Sequence, residues 1–86
     1  MRRHQWDKDH EKLRALLVEV RHGVNLTQTE LANLLGTTQP FISKYERGER
    51  TLDFIEVLRI CDACGYSVIN LVESLNINSS KEGRSL

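Results

Sequence analysis

TQTELANLLGTTQPFISKYERG, Thr27 to Gly48, is the stretch that decides the fold. It reads as two capped helices joined by a short turn around Gly36. Thr27 followed by Glu30 has the spacing of a capping box, in which the two side chains satisfy each other's backbone N–H groups. Leu26 before the cap and Leu31 at the fourth helical position have the spacing of a hydrophobic staple. Leu31, Ala32, Leu34 and Leu35 supply an apolar face, and Gly36 ends the helix. Thr38 is a second N-cap, with Pro40 in the first turn, where a missing N–H costs little. Ile42 and Tyr45 lie one turn apart and are expected to point inward. Gly48 stops this helix after Arg47. A short turn makes the two helices cross steeply and leaves the second with one face free. A helix of that width fits the major groove of DNA.

The flanking segments are also helical in pattern. Between about Asp7 and Val24, the residues Leu13, Leu16, Leu17, Val20 and Val24 recur on one helical face. Asn25 suits the left-handed residue that closes such a helix. A fourth helix is expected from about Phe54 to Cys64. Asp53 caps it, Glu56 sits at its third position, and Leu52 and Val57 repeat the staple. Its expected buried stripe is Phe54, Val57, Leu58, Cys61 and Cys64, ended by Gly65. A short fifth helix runs from about Val68 to Leu75 behind Ser67, with Tyr66 and Leu71 at staple spacing. Nothing alternates with period two for long enough to make a sheet. The expected class is therefore all-α, a compact five-helix domain containing a helix-turn-helix. Residues 1–12 form an N-terminal arm and the start of the first helix, 13–75 the DNA-binding domain, and 76–86 a flexible, polar tail.

Composition narrows the function classes. Eighty-six residues make one domain with a modest core. No apolar run reaches bilayer length, and MRRHQWDKDHEK lacks the apolar centre of a signal peptide, so a cytoplasmic protein is expected. Twelve basic residues balance twelve acidic ones. That excludes a strongly basic, non-specific nucleic-acid binder. A specific binder is still allowed, because the position of charge matters more than its total. Cys61 and Cys64 form a CxxC, the spacing of a redox pair or half a metal site. No second CxxC accompanies it, and both cysteines fall on the expected core stripe of the fourth helix, where they act as small apolar residues. His4, His10 and His22 lack ligand spacing. No metal, cofactor or catalytic residue is expected, and the chain is not read as an enzyme.

The segments LTQTELANLLG, TTQPFISKYERGER and LDFIEVLRICDACGYS resemble, in register, the lambda-repressor and Cro-like helix-turn-helix family, also called the xenobiotic-response-element (XRE) family. The resemblance covers about Leu13 to Leu75. It implies a prokaryotic or phage transcriptional regulator with its third helix in the major groove, working as a two-fold dimer on palindromic operators. Residue by residue, it implies a phosphate contact at Gln28. Thr38, Gln39, Pro40, Phe41, Ser43 and Lys44 would form the recognition surface, and Arg47 and Arg50 the loop that borders the DNA backbone. It also implies a salt bridge between Arg21 and Glu46 that ties the first helix to the third.

The chemistry of these side chains points the same way. A glutamine amide such as that of Gln39 can pair with adenine N6 and N7. Lys44 can reach guanine or a phosphate. The helix starts at Gln28 and Gln39 present free N–H groups to anions. Phe41 is expected on the outward face, where a thymine methyl would give it a partner, although a rotated helix would place it in the core. Glu30 and Glu49 lie near the same face and offset Lys44, Arg47 and Arg50. Affinity per subunit is therefore expected to be weak, with two subunits needed, and Arg2 and Arg3 are candidates for a basic arm. The fifth helix carries more apolar residues than one inward face can use, which leaves Ile69, Val72 and Ile77 as candidates for a homodimer interface. Three functions remain open on the sequence. One is a DNA-binding regulator, most simply a repressor, acting alone or as the antitoxin of a toxin–antitoxin pair. The second is an interaction adaptor for a partner protein that keeps the fold without reading DNA. The third is a redox protein using the two cysteines.

Overall fold

The computed structural model describes residues 3–76, with side chains from Trp6 onward. Five helices follow one another: α1 Arg3–Gly23, α2 Gln28–Leu35, α3 Gln39–Glu46, α4 Phe54–Ala63 and α5 Val68–Leu75. No strand occurs among the described residues. The expected tail lies almost wholly outside them, as do Ile77 and Arg2.

The helix ends form as the local sequence dictates. Thr27 and Asp53 both build full capping boxes, with Glu30 and Glu56 respectively. Thr38 and Ser67 cap α3 and α5 by accepting from Phe41 N and Asn70 N. Helix exits share one geometry. After α2, Gly36 N donates to Asn33 O and Thr37 N to Ala32 O, the paired bonds of a Schellman motif. Gly36 has φ +73°, a region that side chains with a Cβ rarely adopt, and this lets the chain turn from α2 into α3 within three residues. The same bond pattern closes α1 with Asn25 at φ +59°. Gly48 closes α3 at φ +83°, and the Arg14 guanidinium occupies the space a Cβ would need. That contact packs α1 against the loop that follows α3.

The core is Leu17 and Val20 from α1, Leu31 and Ala32 from α2, and Ile42 and Tyr45 from α3. Val57, Ile60 and Cys61 from α4, Cys64 just after it, and Leu71 from α5 complete it. The staple partners Leu26, Leu52 and Tyr66 pack against this cluster half-buried. Three expectations need correction. α1 begins at Arg3 rather than near Asp7, and its extra turn is supported by Trp6 stacking on His10 one turn later. Ile60, not Phe54, belongs to the buried stripe of α4. Phe54 sits two turns before Cys61 on the same line, at the helix end where no neighbour covers it, and is 69% exposed. Leu34 and Val24, expected on buried faces, are also exposed.

Cys61 and Cys64 are buried, unbridged thiols, and burial pushes both above the usual thiol range. Buried, protonated thiols react slowly. Native protein is accordingly expected to resist an alkylating reagent that labels the unfolded chain at both positions. Rapid native labelling would show that α4 does not bury them. Tyr45 is fully buried, and its hydroxyl has no hydrogen-bond partner among the described residues. Burial also raises its pKa well above the ordinary phenol value. An unsatisfied buried donor costs about 1–3 kcal/mol. Tyr45→Phe is therefore expected to be neutral or to stabilise by up to about 1 kcal/mol, read from the urea midpoint. A clear loss would mean that the hydroxyl is satisfied.

Candidate nucleic-acid interface

Helix α3 lies across α2 with Ile42 and Tyr45 buried beneath it. Its opposite side carries Thr38, Gln39, Pro40 and Lys44, all exposed, with Ser43 half-buried beside them. Pro40, Lys44 and Arg47 follow each other at intervals of four and three residues and so share a line along the exposed face.

A chain of hydrogen bonds connects this surface to the interior. Arg21 on α1 donates through Nε to Glu46 Oε2 at 2.8 Å and through Nη2 to Glu46 Oε1 at 3.0 Å. Its remaining arm donates to the Leu26 carbonyl at 2.8 Å. The two side chains are 9% and 7% exposed, so this is a buried, forked pair. The hydrogen bond from Arg21 to Glu46 raises the Arg21 pKa against the cost of burial. Gln28 at the start of α2 donates its Nε2 to Glu46 Oε1 at 2.8 Å. Gln39 at the start of α3 donates its Nε2 to Gln28 Oε1 at 2.6 Å. The amide of Gln39 is thus held by α2, which is in turn held by an ion pair between α1 and α3. One N–H and the carbonyl oxygen of Gln39 stay available toward solvent.

Both helix starts keep unbonded N–H groups. Thr27 occupies the third-position N–H of α2 but leaves those of Gln28 and Thr29 pointing out of the helix end. Thr38 occupies Phe41 N, Pro40 has no N–H, and Gln39 N remains.

The expected loop cations are engaged. Arg47 grips Glu49 through two bonds of 3.0 Å, Nε to Oε2 and Nη2 to Oε1, and also contacts Ser43 Oγ. Arg50 grips Glu56 through bonds of 3.0 and 2.9 Å and donates to the Thr51 carbonyl at 3.1 Å. Phe41 departs from the outward position expected of it. It is half-buried, meets Tyr45 edge-on at 5.7 Å, and carries the Arg50 guanidinium over its ring at 4.5 Å. The rotation that buries Ile42 and Tyr45 also turns Phe41 inward, so it serves as a platform for Arg50. Sequence reasoning missed the second role of Glu56. Its capping function is local and visible, but its hold on Arg50 spans the turn before α4. On α5, Ile69 and Val72 are 67% and 57% exposed.

A helix-turn-helix family model matches residues 17–71 of the chain. Among solved structures, an XRE-family like protein from Pseudomonas syringae pv. tomato str. DC3000 is 39% identical. The match covers 80% of this chain and 84% of that one, with a TM-score of 0.77. The chain belongs to the XRE family of helix-turn-helix proteins. Among curated proteins none matches it significantly. XRE membership fits the all-α, lambda-repressor-like arrangement of α1–α5 and makes the chain, in general terms, a DNA-binding transcriptional regulator. Among the described residues no helix is long and apolar enough to cross a membrane.

Proposed function

We propose that this XRE-family chain is a sequence-specific repressor that binds a palindromic operator as a homodimer, with α3 of each subunit in the major groove. The observation that carries the reading is the Gln39 amide, exposed at the start of α3 yet held through Gln28 to the buried Arg21–Glu46 pair. A surface glutamine with no task gains nothing from being fixed. Bidentate reading of adenine requires a fixed amide plane with a donor and an acceptor facing out. Gln28 and the N–H groups at both helix starts suit phosphates on either side of the groove. Thr38, Ser43 and Lys44 complete the surface, and Arg47 and Arg50 border the backbone. Arg47→Ala is expected to weaken binding to all duplexes alike and to flatten the salt dependence, as loss of a phosphate contact does.

The exposed Ile69 and Val72 on α5 are the proposed contact between subunits. Two recognition helices in such a dimer would lie about 34 Å apart, one turn of B-DNA. The decisive experiment is selection of bound duplexes from a random pool with the full chain. A palindromic motif with half-sites one turn apart is the expected product, and occlusion of a reporter promoter carrying it would establish repression. Recovery of no motif would leave the fold to serve as a protein adaptor.

A further inference from the structure

The two loop arginines that should meet DNA are already occupied by carboxylates in forked geometry. A carboxylate and a phosphate offer a guanidinium the same pair of acceptor oxygens, so one can replace the other on the same fork. We propose that Glu49 and Glu56 are built-in counterions that hold Arg47 and Arg50 away from the DNA backbone. Phosphate contact would then form by exchange of the guanidinium from carboxylate to phosphate, and affinity would be set below what the cations alone would give. The inference rests on the DNA-binding reading above and concerns how strongly that same surface binds.

Several observations favour this over a purely structural role. Arg47 and Glu49 are each 54% exposed, and Arg50 and Glu56 are 42% and 27% exposed. Pairs this open contribute little to stability and can be broken at little cost, whereas removing one partner of the buried Arg21–Glu46 pair is costly. Glu49 lies just beyond the Gly48 turn and accepts both hydrogen bonds from Arg47, with Lys44 adding a smaller favourable charge. Both carboxyls are held below their ordinary range. For Glu49 the chief cause is the hydrogen bond from Arg47; for Glu56 it is the bond from Arg50, then that from Asp53 N. They are therefore charged wherever the protein meets DNA near neutral pH. The Arg50 guanidinium itself lies over the Phe41 ring, which keeps it at the loop whichever acceptor it takes. Glu49 and Glu56 thus offset two of the three cations Lys44, Arg47 and Arg50 on the spot.

The test uses the full chain, a duplex selected from a random pool by the wild-type protein, and an unrelated duplex of equal length. Glu49→Gln keeps the side-chain shape and removes the charge. Glu56→Gln does the same and keeps an acceptor for the α4 cap. Each is expected to bind both duplexes about 3–10-fold more tightly at low salt. The gain should shrink as salt rises, because it comes from losing a competing charge rather than from adding a phosphate contact. The gain of Glu49→Gln should vanish when Arg47 is alanine in both partners of the comparison. Unchanged affinity in Glu49→Gln overturns the proposal. So does a gain that survives without Arg47, because it would then reflect general charge rather than a held guanidinium. Thermal melts of each variant establish that the fold is intact. If the wild-type chain selects no duplex at all, the DNA-binding reading fails and takes this inference with it. If it selects one and Glu49→Gln gains nothing, only this inference fails.

Discussion

Glu46→Ala should destabilise the folded domain by about 3–5 kcal/mol, the usual result of removing one partner from a buried ion pair. Arg21 would retain its bond to the Leu26 carbonyl but lose both bonds to the carboxylate, leaving a buried cation short of acceptors. Domains of this size have roughly 5–15 kcal/mol in total, so the loss would be visible as a large drop in the urea midpoint. Arg21→Ala should cost a similar amount by stranding the carboxylate against Gln28 alone. The size of these effects does not mean that the pair is a strong net stabiliser. Replacing both residues together, Arg21→Met with Glu46→Leu, exchanges two desolvated charges for apolar volume and is expected to recover most of the loss. That double variant isolates the functional part of the network. It should fold, yet Gln28, the anchor of Gln39, would have no carboxylate to donate to. Single variants that unfold no more easily than the wild-type chain would show that the pair is not buried in solution.

The difference between what was legible in the sequence and what was not follows the range of each interaction. Capping boxes at Thr27 and Asp53 involve residues three apart, and the left-handed exits at Asn25, Gly36, Gly48 and Gly65 concern one residue each. Such signals are complete within a turn of chain, so the helix count and the turn between α2 and α3 could be read directly. Burial is decided by what packs opposite. Phe54 and Leu34 fit the period of their helices but face no neighbour, while Ile60, overlooked in the pattern, faces the core. Phe41 shows the same limit at the site. In an eight-residue helix a modest rotation moves a side chain from outward to half-buried, and that rotation is set by where Tyr45 lodges. Gln28 and Gln39 were legible as polar helix starts, but their mutual hydrogen bond depends on the crossing of α2 and α3. The partners of Arg47 and Arg50 were only half visible. Glu49 could be seen as a nearby opposing charge, whereas the hold of Glu56 on Arg50 requires the turn before α4 to fold back.

Gln39→Ala should lose about 1–3 kcal/mol of discrimination at one base position in each half-site, with little change in fold stability. The stability claim follows from exposure: Gln39 lies on the surface, and its bond to Gln28 is an exposed one. The specificity claim follows from the geometry of the amide. Its Nε2 gives one hydrogen to Gln28 Oε1 and has a second to offer, while its Oε1 is left as an acceptor. Adenine presents a matching acceptor at N7 and donor at N6 along the major-groove edge, and no other base pairs both with one amide in that order. If Gln28 fixes the amide plane, Gln28→Ala should weaken the same discrimination although it removes no base contact. The Arg21→Met, Glu46→Leu double variant should do so too, by a smaller amount, because it acts one bond further away. A graded series, Gln39→Ala largest, then Gln28→Ala, then the double variant, is the expected signature of a positioned reader. It is measured by titrating each protein against the selected operator and against single-base changes at every position. A general loss at all positions, without relaxation at one, would make Gln39 a backbone contact. Binding of Gln39→Ala to every duplex just as the wild-type chain binds it would place base reading elsewhere on α3, with Lys44 and Ser43 the nearest alternatives on its exposed side.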